Sequence, residues 1–255
     1  MDFGLKGKVA LVTGAGSQIG FGKEIAITLA REGCDVIVTA LHLEGAEKTA
    51  AAVRRETGRK AMAVQADLSS KESAKAMVKA GLAQFGHIDI LVNNAGAMHA
   101  SRPFSELSEE EGEHTLDLNL MGAIILTKAV LPGMLERKWG KIVNITSIGA
   151  KKGMLNTSYY GTSKAGLIGF TQVIANELIR KGINVNGVSP GFGRTNFGGA
   201  QLPMEMKKAD PADLIPSGKP VTGQDVANMV AFLASDVSAD IVGQNISVDG
   251  GESIV

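Results

Sequence analysis

The stretch Tyr-Gly-Thr-Ser-Lys at residues 160–164 places a phenol and an ammonium four residues apart, and Ser147 lies thirteen residues before the tyrosine. In a helix, residues four apart share one face, so the side chains of Tyr160 and Lys164 would point into the same space. A phenol titrates at about pH 10, and a neighbouring cation favours its ionised form. The pair could therefore exchange a proton with a carbonyl or an alcohol near neutral pH. The same spacing also occurs in helices without a chemical role, so the interpretation depends on the surrounding sequence.

A glycine-rich stretch at residues 13–22 follows a short apolar run and precedes a helical pattern. Glycines at such a turn let the backbone approach a pyrophosphate, which the N–H groups of the helix N-terminus then stabilise. The alternative is a plain glycine-rich turn. Asp67 and the segment Asn-Asn-Ala-Gly at 93–96 follow two further apolar runs, where a cofactor lying across the strand ends would pass. Asp67 has a second interpretation, as the N-cap of a helix with Ser69 and Ser70 nearby.

These residues must be positioned by regular elements, and short apolar runs do alternate with helical patterns along the chain. Near-continuous apolar runs are typical of parallel strands covered on both faces, and the alternation implies right-handed crossovers. The predicted strands are Val9–Thr13, Asp35–Ala40, Ala61–Gln65, Ile90–Asn93, Lys141–Ile145, Ile183–Val188 and Ile246–Val248. The predicted helices are Ile19–Glu32, Glu44–Thr57, Lys71–Phe85, Glu110–Arg137, Tyr159–Arg180 and Gly223–Leu233. Thr222 and Asp225 are predicted to form a capping box at the last helix.

The predicted fold is α/β: a single-domain, doubly wound, Rossmann-like parallel sheet of about seven strands with helices on both faces. One domain spans residues 1–255, and residues 191–222 form a substrate loop without periodicity. Two helical segments, 118–131 and 165–175, are apolar or small nearly all round. Such helices are covered either within the domain or by another subunit. Gly166 and Gly169 would permit close helix approach, which favours a subunit interface and a homotetramer.

The overall composition excludes several classes of protein. Hydrophobic residues make up 44% of the 255 residues and charged residues 20%, which argues against disorder. Lys plus Arg and Asp plus Glu number 26 each, so no net field favours nucleic acid or an anionic membrane. The single cysteine, Cys34, excludes an internal disulfide, and no cluster has metal-ligand spacing. No signal peptide or membrane-spanning run is apparent, so a cytoplasmic location is expected.

Seven motifs in order resemble the short-chain dehydrogenases/reductases, and the resemblance covers essentially the whole chain. The motifs are TGAGSQIG, NNAG, Asn119 in LDLNLMG, Ser147 in NITSIGA, YGTSK, SPGFGRT at 189–195 and the closing SVDGG. The resemblance implies an NAD(P)-dependent oxidoreductase that interconverts a secondary alcohol and a ketone, and a small-molecule substrate. It gives no indication of a nucleic acid or membrane partner.

The resemblance also implies a role for each residue of the catalytic set. Tyr160 would be the general acid/base, and Lys164 would hold the nicotinamide ribose hydroxyls and lower the pKa of Tyr160. Ser147 would hydrogen-bond the substrate oxygen, where charge develops. Asn119 would anchor a water in a proton relay from Lys164. The cofactor-binding residues implied are Gly14, Ser17, Gln18, Ile19, Gly20, His42, Asp67, Leu68, Asn94, Ala95, Gly96, Tyr160, Lys164, Pro190, Gly191 and Thr195.

Two departures from the family pattern bear on the cofactor. In the glycine motif, Gln18 stands at the middle position, so its side chain must point away from the pyrophosphate or hydrogen-bond to it. At the end of the second strand, Ala40 replaces the acid typical of NAD-preferring members, and Ser17, Leu41 and His42 offer no firm cation for a 2′-phosphate. The missing acid favours NADP(H) over NAD(H). Gly193 replaces a common aliphatic residue and is expected to loosen the loop.

Two alternatives to a general ketone reductase remain open. The first is a 3-oxoacyl-thioester reductase acting on an acyl-carrier protein, for which Lys138, Arg180 and Lys181 are candidate docking cations. Ordinary solvated charges and favourable cations at helix C-termini are the favoured explanation of these residues. The second is a nucleotide-binding sensor without catalysis. His99 lies near the predicted cleft and could touch substrate, although a surface position is favoured.

Overall fold

The computed structural model describes residues 2–193, 195 and 215–254. Within these residues seven parallel strands form one sheet in the order β3-β2-β1-β4-β5-β6-β7. The strands are β1 (Val9–Val12), β2 (Asp35–Ala40), β3 (Ala61–Gln65), β4 (Ile90–Asn93), β5 (Gly140–Ile145), β6 (Ile183–Pro190) and β7 (Asn245–Val248). The predicted strand positions and the doubly wound fold are confirmed.

The two faces of the sheet are buried under separate apolar clusters. Alternate residues of β1 show the division, because Ala10 and Val12 belong to one cluster while Val9 and Leu11 belong to the other. This is the period-two alternation of a strand with both faces covered. Every residue of β1, β4, β5 and β6 is buried, which explains why these strands read as apolar runs.

The helices cover both faces of the sheet, and three of those described begin at a side-chain cap, which is Ser70, Ser108 or Thr222. The helices are α1 (Phe21–Arg31), α2 (Leu43–Thr57), α3 (Lys71–Phe85), α4 (Glu109–Leu116), α5 (Gly122–Arg137), α6 (Gly149–Lys152), α7 (Ser158–Leu178) and α8 (Gly223–Ala234). The predicted capping box at α8 is confirmed: Thr222 Oγ1 accepts from the Asp225 N–H, and the Asp225 carboxylate accepts from the Thr222 N–H at 2.9 Å.

The predicted single helix 110–137 is interrupted. Helix α4 passes into a π-helical turn, Asp117–Met121, before α5 continues to Arg137. Periodicity alone does not reveal such a turn, because it inserts one residue without breaking the apolar pattern. Helix α1 also begins two residues later than predicted, at Phe21, and the short helix α6 was not predicted.

Among the described residues, the continuous stretch Glu109–Arg137 is the one helix long and apolar enough to cross a membrane by length and composition. This helix does not contradict the prediction that no uninterrupted apolar run reaches membrane-spanning length, because Lys128 interrupts its apolar part. Core helices of globular domains pass the same test, and α5 packs against α3, β4 and β5. Only 39% of the apolar window is buried within the chain, so part of its apolar surface is left uncovered.

The predicted substrate loop 191–222 lies largely outside the described residues. Residues 191–193, 195 and 215–222 of it are described. The two described ends meet, because Gly193 pairs with Val221 and the Val221 N–H donates to the Phe192 carbonyl at 2.8 Å.

Candidate active site

The candidate catalytic residues gather at the carboxyl ends of the central strands. The strand order reverses between β1 and β4, and open α/β sheets bind ligands beside such a reversal. The segment 94–97 follows β4, Ser147 follows β5, and Pro190 ends β6. Helix α7 carries Tyr160 and Lys164 one turn apart, as their spacing predicted.

Tyr160 and Ser147 are joined by a hydrogen bond between their side chains. Burial raises the pKa of Tyr160 above its ordinary value, and the Ser147 hydrogen bond opposes this rise only in part. Ser147 Oγ also accepts from the Gly149 N–H at 3.1 Å, which fixes the hydroxyl at the start of α6. Desolvation and the Ser147 hydrogen bond account for the shift in the described chain, and the expectation that Lys164 lowers the Tyr160 pKa stays a prediction. A protonated phenol at neutral pH suits a proton donor.

Lys164 is the buried cation of the site. It is 2% exposed, and its ammonium lies 5.9 Å from the centre of the Tyr160 ring. Its Nζ donates to the Ile145 carbonyl at 2.8 Å. Burial lowers the pKa of Lys164 to about 8, so the group changes charge within the working range of many enzymes.

Asn119 lies in the π-helical turn and braces the loop after β4. Its side-chain oxygen accepts from the Ala97 N–H at 2.9 Å, and its Nδ2 donates to the Ala97 carbonyl at 2.8 Å and to Ser163 Oγ at 3.2 Å. A side chain at Gly96 would place its Cβ 2.9 Å from Asn119 Oδ1 and 3.1 Å from Lys164 Nζ. Only glycine therefore allows the backbone at residue 96 to lie against both groups. Asn119 therefore holds this loop directly, in addition to the water-anchoring role that the resemblance implies.

The predicted nucleotide loop is fixed by the residues that follow β4. Gly14 has a φ of +64°, and a Cβ there would lie 2.6 Å from Ala95 Cα. Thr13 Oγ1 accepts from the N–H groups of Asn94 and Ala95 at 3.0 and 2.9 Å. Asn94 Nδ2 donates to the carbonyls of Thr13 and Gly14 at 2.7 and 3.2 Å. The structure thus brings Gly14, Asn94, Ala95 and Gly96 together as one unit.

Gln18 points away from this unit, towards helix α2. Its Nε2 donates to the carbonyls of Gly16 and Gly45 at 3.1 and 3.4 Å and to Thr49 Oγ1 at 3.3 Å. Its backbone does not adopt a positive φ, so the position does not require glycine. The sequence left open whether the Gln18 side chain points away from the pyrophosphate or hydrogen-bonds to it. In the structure it points away from the predicted pyrophosphate path.

The close approach expected of the glycine motif belongs instead to Gly22. A Cβ at Gly22 would lie 2.6 Å from Asn94 Nδ2, 2.7 Å from the Gly14 carbonyl and 2.8 Å from Ala15 Cα. Gly20 is the N-cap of α1, and none of the described side chains caps this helix end. The motif is therefore two residues longer than the sequence pattern suggested. Gly20 and Gly22 take the places expected for Gln18 and Gly20.

The remaining predicted cofactor residues of the first half lie around the same edge. Ser17 Oγ donates to the Ile19 carbonyl at 2.9 Å, which closes a local turn, and the Ile19 side chain is 57% exposed. His42 is the exposed N-cap residue of α2, and its side chain does not cap the helix. Leu68 is buried, and its carbonyl lies against Gly122 of α5.

Asp67 does not cap helix α3. The N-cap is Ser70, whose hydroxyl accepts from the Ser73 N–H at 3.3 Å, so the capping alternative for Asp67 was wrong. One Asp67 oxygen accepts from the N–H and hydroxyl of Ser69 at 2.9 and 2.6 Å. The hydrogen bond from the Ser69 side chain lowers the pKa of Asp67, so its carboxylate is ionised and exposed beside the predicted adenosine path.

The predicted nicotinamide segment begins where β6 ends. The Pro190 carbonyl accepts from the Ile148 N–H at 3.1 Å, which ties this segment to the residue after Ser147. Gly191 packs on Asp249, since a Cβ there would lie 2.7 Å from Asp249 Cα. Thr195 is described and half-buried. Gly193 does not loosen the loop as expected, because a Cβ there would lie 2.9 Å from the Phe21 ring and 3.0 Å from the Val221 carbonyl.

His99 lies beside the catalytic tyrosine although it remains exposed. It lines a small pocket with Tyr160, Thr115 and Glu111, and its ring lies 4.3 Å from that of His114. Partial burial, followed by the charge of His114, lowers the pKa of His99. The favoured surface position of His99 is confirmed, and its contact with substrate stays a prediction.

Comparison with known proteins shows what this arrangement belongs to. A family model described as enoyl-(acyl carrier protein) reductase matches residues 14–253. The 3-oxoacyl-(acyl-carrier-protein) reductase of Aquifex aeolicus is 39% identical over 251 residues, which covers 98% of this chain and 99% of the relative. A solved structure described as a short-chain alcohol dehydrogenase from Sinorhizobium meliloti superposes with a TM-score of 0.91 at 34% identity, covering 99% of this chain and 98% of that one. A variant of actinorhodin polyketide ketoreductase with NADPH has a TM-score of 0.89 at 37% identity and 98% coverage of both chains.

The chain belongs to the short-chain dehydrogenase/reductase family. It is an NAD(P)-dependent oxidoreductase that acts on an alcohol or ketone group. The described residues fit such a cofactor. The α1 N-terminus at Gly20 offers N–H groups to a pyrophosphate, and Gly14 and Gly96 keep the backbone free of side chains along the strand ends.

In this short-chain reductase, the candidate docking cations precede two neighbouring strands of the sheet. Lys138 ends α5 just before β5, and Arg180 and Lys181 lie just before β6. The Gly140 N–H donates to the Gly182 carbonyl at 3.2 Å, which sets the three side by side at the amino ends of the strands. Tyr160 and Ser147 lie at the carboxyl ends. The role of these cations in docking a carrier protein stays a prediction.

The corrected glycine motif gives a first testable prediction. We expect Gly22→Ala to lower the free energy of unfolding by about 1–3 kcal/mol and to weaken NADPH binding, because the added methyl overlaps Gly14 and Ala15. Gln18→Gly should change both quantities much less, since the exposed amide donates only to the carbonyls of Gly16 and Gly45 and to Thr49 Oγ1. Thermal unfolding and NADPH fluorescence measure the two effects. Equal sensitivity at the two positions would contradict the assignment.

Proposed function

We propose that the chain reduces a ketone on a small molecule to a secondary alcohol with NADPH, and catalyses the reverse reaction at high pH. The observation that carries the proposal is the hydrogen bond between Tyr160 and Ser147, one helical turn from the buried ammonium of Lys164. Two hydroxyls held together beside a cation can bind one carbonyl oxygen and supply it with a proton.

Each residue has a distinct part in this proposal. NAD(P)H, when bound, supplies the hydride. Ser147 orients the substrate oxygen, and Tyr160 donates the proton that the developing alkoxide requires. Lys164 binds the ribose hydroxyls and restores the proton to Tyr160. Asn119 holds the Ala97 backbone and helps to form the path by which protons pass between Lys164 and solvent.

The preference for NADPH rests on the region around the end of β2. Ala40 provides no carboxylate that would repel a 2′-phosphate, and Leu41 and His42 are exposed there. The Gln18 amide lies on the same side, against Gly45 and Thr49 at the start of α2. The related ketoreductase solved with NADPH supports the same choice.

A narrower candidate is the reduction of 3-oxoacyl thioesters on an acyl-carrier protein. The name of the Aquifex aeolicus relative favours it, at 39% identity over nearly the whole chain. Lys138, Arg180 and Lys181 remain candidate docking cations for such a carrier, and a free thioester would not need them. The two candidates therefore differ in whether the carrier contributes to recognition.

We also propose self-association to a homotetramer of single-domain chains in the cytoplasm. On α7, a Cβ added at Gly169 would meet no atom of the described residues within 4 Å, and Val173 is 59% exposed on the same helix. Gly166 does not contribute as expected, because it packs against Leu120 of its own chain. Sedimentation should give four times the 26.5 kDa of one chain, and Val173→Glu should shift the protein towards smaller species. A monomer at micromolar concentration would refute the tetramer.

The experiment that tests the function is a substrate screen with both cofactors. Simple cyclic and aromatic ketones, free acetoacetyl thioesters and a carrier-bound acetoacetyl group are each offered with NADPH and with NADH. We expect turnover of at least one ketone, faster with NADPH. A large advantage of the carrier-bound substrate over the free thioester would select the narrower candidate. Tight NADPH binding with no turnover of any substrate would favour a nucleotide sensor instead.

A further inference from the structure

The C-terminal segment Asp249–Ile254 contacts both described ends of the loop that follows β6. Gly191 lies directly on Asp249, and the Ser217 N–H donates to the Gly250 carbonyl at 2.9 Å. Gly251 packs against Pro216. One short stretch of chain therefore supports the place where the loop leaves β6 and the place where it returns.

A carboxylate makes the connection at the nicotinamide end. Glu252 Oε2 accepts from the Phe192 N–H at 2.9 Å. A Cβ at Gly191 would lie only 2.9 Å from the same oxygen, so the carboxylate sits against the backbone at the end of β6. Glu252 thus fixes the backbone one residue beyond the predicted cradle Pro190–Gly191.

The Glu252 segment is itself anchored from two directions. Asp249 accepts from the Gly251 and Ser253 N–H groups at 2.9 and 3.0 Å. Burial alone would raise the pKa of Asp249, but the hydrogen bonds from Ser253 and Gly251 outweigh it and leave the pKa below its usual range. The turn that presents Glu252 is therefore held by an ionised carboxylate.

The second anchor comes from helix α6, which begins two residues after Ser147. Lys152 Nζ donates to the Glu252 carbonyl at 2.6 Å, and Lys151 Nζ donates to Ser247 Oγ at 2.8 Å. The Ser147 turn, the C-terminal segment and the start of the loop thereby form one connected set of hydrogen bonds. The hydroxyl that would bind the substrate oxygen and the backbone that would hold the nicotinamide share a common support.

We infer that Glu252 is a positioning residue for the nicotinamide end of the site, acting through the Phe192 backbone and not on the substrate. The inference rests on the proposed function, since it takes Pro190–Gly191 as the cofactor cradle. In this role the Glu252 carboxylate serves as a hydrogen-bond acceptor for the Phe192 N–H. A glutamine at position 252, whose amide oxygen accepts at the same distance, should therefore replace the glutamate.

The test compares Glu252→Ala with Glu252→Gln, and uses Ile254→Ala as the matched control because Ile254 lies in the same helical turn and is 84% exposed. We expect Glu252→Ala to weaken NADPH binding about tenfold and to lower kcat by a similar factor. Glu252→Gln and Ile254→Ala should stay within about twofold of the wild type. Binding is read from NADPH fluorescence without substrate, and turnover from the ketone found in the screen.

Two outcomes would overturn the inference. One is a Glu252→Ala enzyme with wild-type NADPH affinity and kcat, and the other is a Glu252→Gln enzyme as impaired as Glu252→Ala at an unchanged melting temperature. If Glu252→Ala does not fold, Lys152→Met is measured instead. Loss of the hydrogen bond from Lys152 to the Glu252 carbonyl should also weaken NADPH binding. Unchanged NADPH binding in Lys152→Met would refute the inference. Failure of the proposed function is distinguishable, because a wild type that reduces no ketone still yields the NADPH affinities of all variants.

Discussion

Replacing Tyr160 by Phe should lower kcat for ketone reduction by about a thousandfold while the dissociation constant of NADPH stays within about twofold. The substitution removes one oxygen and leaves the ring, so the packing at the start of α7 is retained. It removes both the proton that the alkoxide needs and the hydrogen-bond partner of Ser147. Because the loss concerns chemistry and not cofactor contacts, kcat and affinity should separate.

The neighbouring tyrosine provides a matched control. Tyr159 packs its ring against Gly112 of α4 and at 5.9 Å from the ring of Phe104. Tyr159→Phe makes the same chemical change one residue away and should leave kcat near the wild-type value. A Tyr160→Phe enzyme within about tenfold of wild-type kcat would refute Tyr160 as the proton donor.

Lys164→Met should lower kcat/KM by about a hundredfold and, unlike Tyr160→Phe, should also weaken NADPH binding. Methionine fills a similar apolar volume at this buried position but carries no charge and no donor. The Ile145 carbonyl loses its hydrogen bond, and the ribose loses its proposed partner. Lys128→Met on the exposed side of α5 is the control and should behave as the wild type. Unchanged NADPH affinity in Lys164→Met would contradict the proposed ribose contact.

The pKa of Lys164 predicts the pH dependence of the wild type. Burial lowers this pKa to about 8, so the ammonium is charged below pH 8 and neutral above it. The Tyr160 pKa is raised above its ordinary value of 10.0, so the phenol stays protonated through the same range. We expect kcat/KM for reduction to be level below about pH 8 and to fall above it. Lys164→Met should lack this fall, and a wild-type profile flat to pH 10 would contradict the assignment.

The sheet and the catalytic spacing could be predicted because each depends on local pattern. Strands β2, β3 and β4 have the predicted bounds, since each is an apolar run that ends at a polar residue or a turn. Tyr160 and Lys164 lie on one helical face for the same reason. Where periodicity determines structure, sequence reasoning was sufficient.

Other features depend on contacts between distant segments, which a single sequence does not contain. Gly22 is required by Gly14, Ala15 and Asn94, and only the folded chain shows that its Cβ has no room. The glycine motif would have been assigned correctly if the first helix had been predicted to begin at Phe21. Neither Ile19 nor Gly20 indicates that helix start in the sequence. The support from Glu252 spans 60 residues to Phe192 and has no local signal.

Electrostatic effects were the least predictable part of the site. Lys164 is predicted to lower the Tyr160 pKa, but the sequence does not show that desolvation shifts the pKa of both groups. Likewise, the charges of Lys138, Arg180 and Lys181 are visible in the sequence, but only the fold shows that they lie near one another at the amino ends of β5 and β6. Burial and topology must be known before a charge can be given a function.

The most direct test of the central claim follows the hydride itself. Wild-type enzyme is incubated with NADPH deuterated at both C4 positions and the preferred ketone, and the alcohol is analysed by mass spectrometry. We predict one deuterium at the carbinol carbon for each NADPH consumed, and almost none formed in the same time by Tyr160→Phe. Alcohol without deuterium at that carbon, or NADPH bound but never consumed with any ketone, would contradict a hydride-transferring ketone reductase.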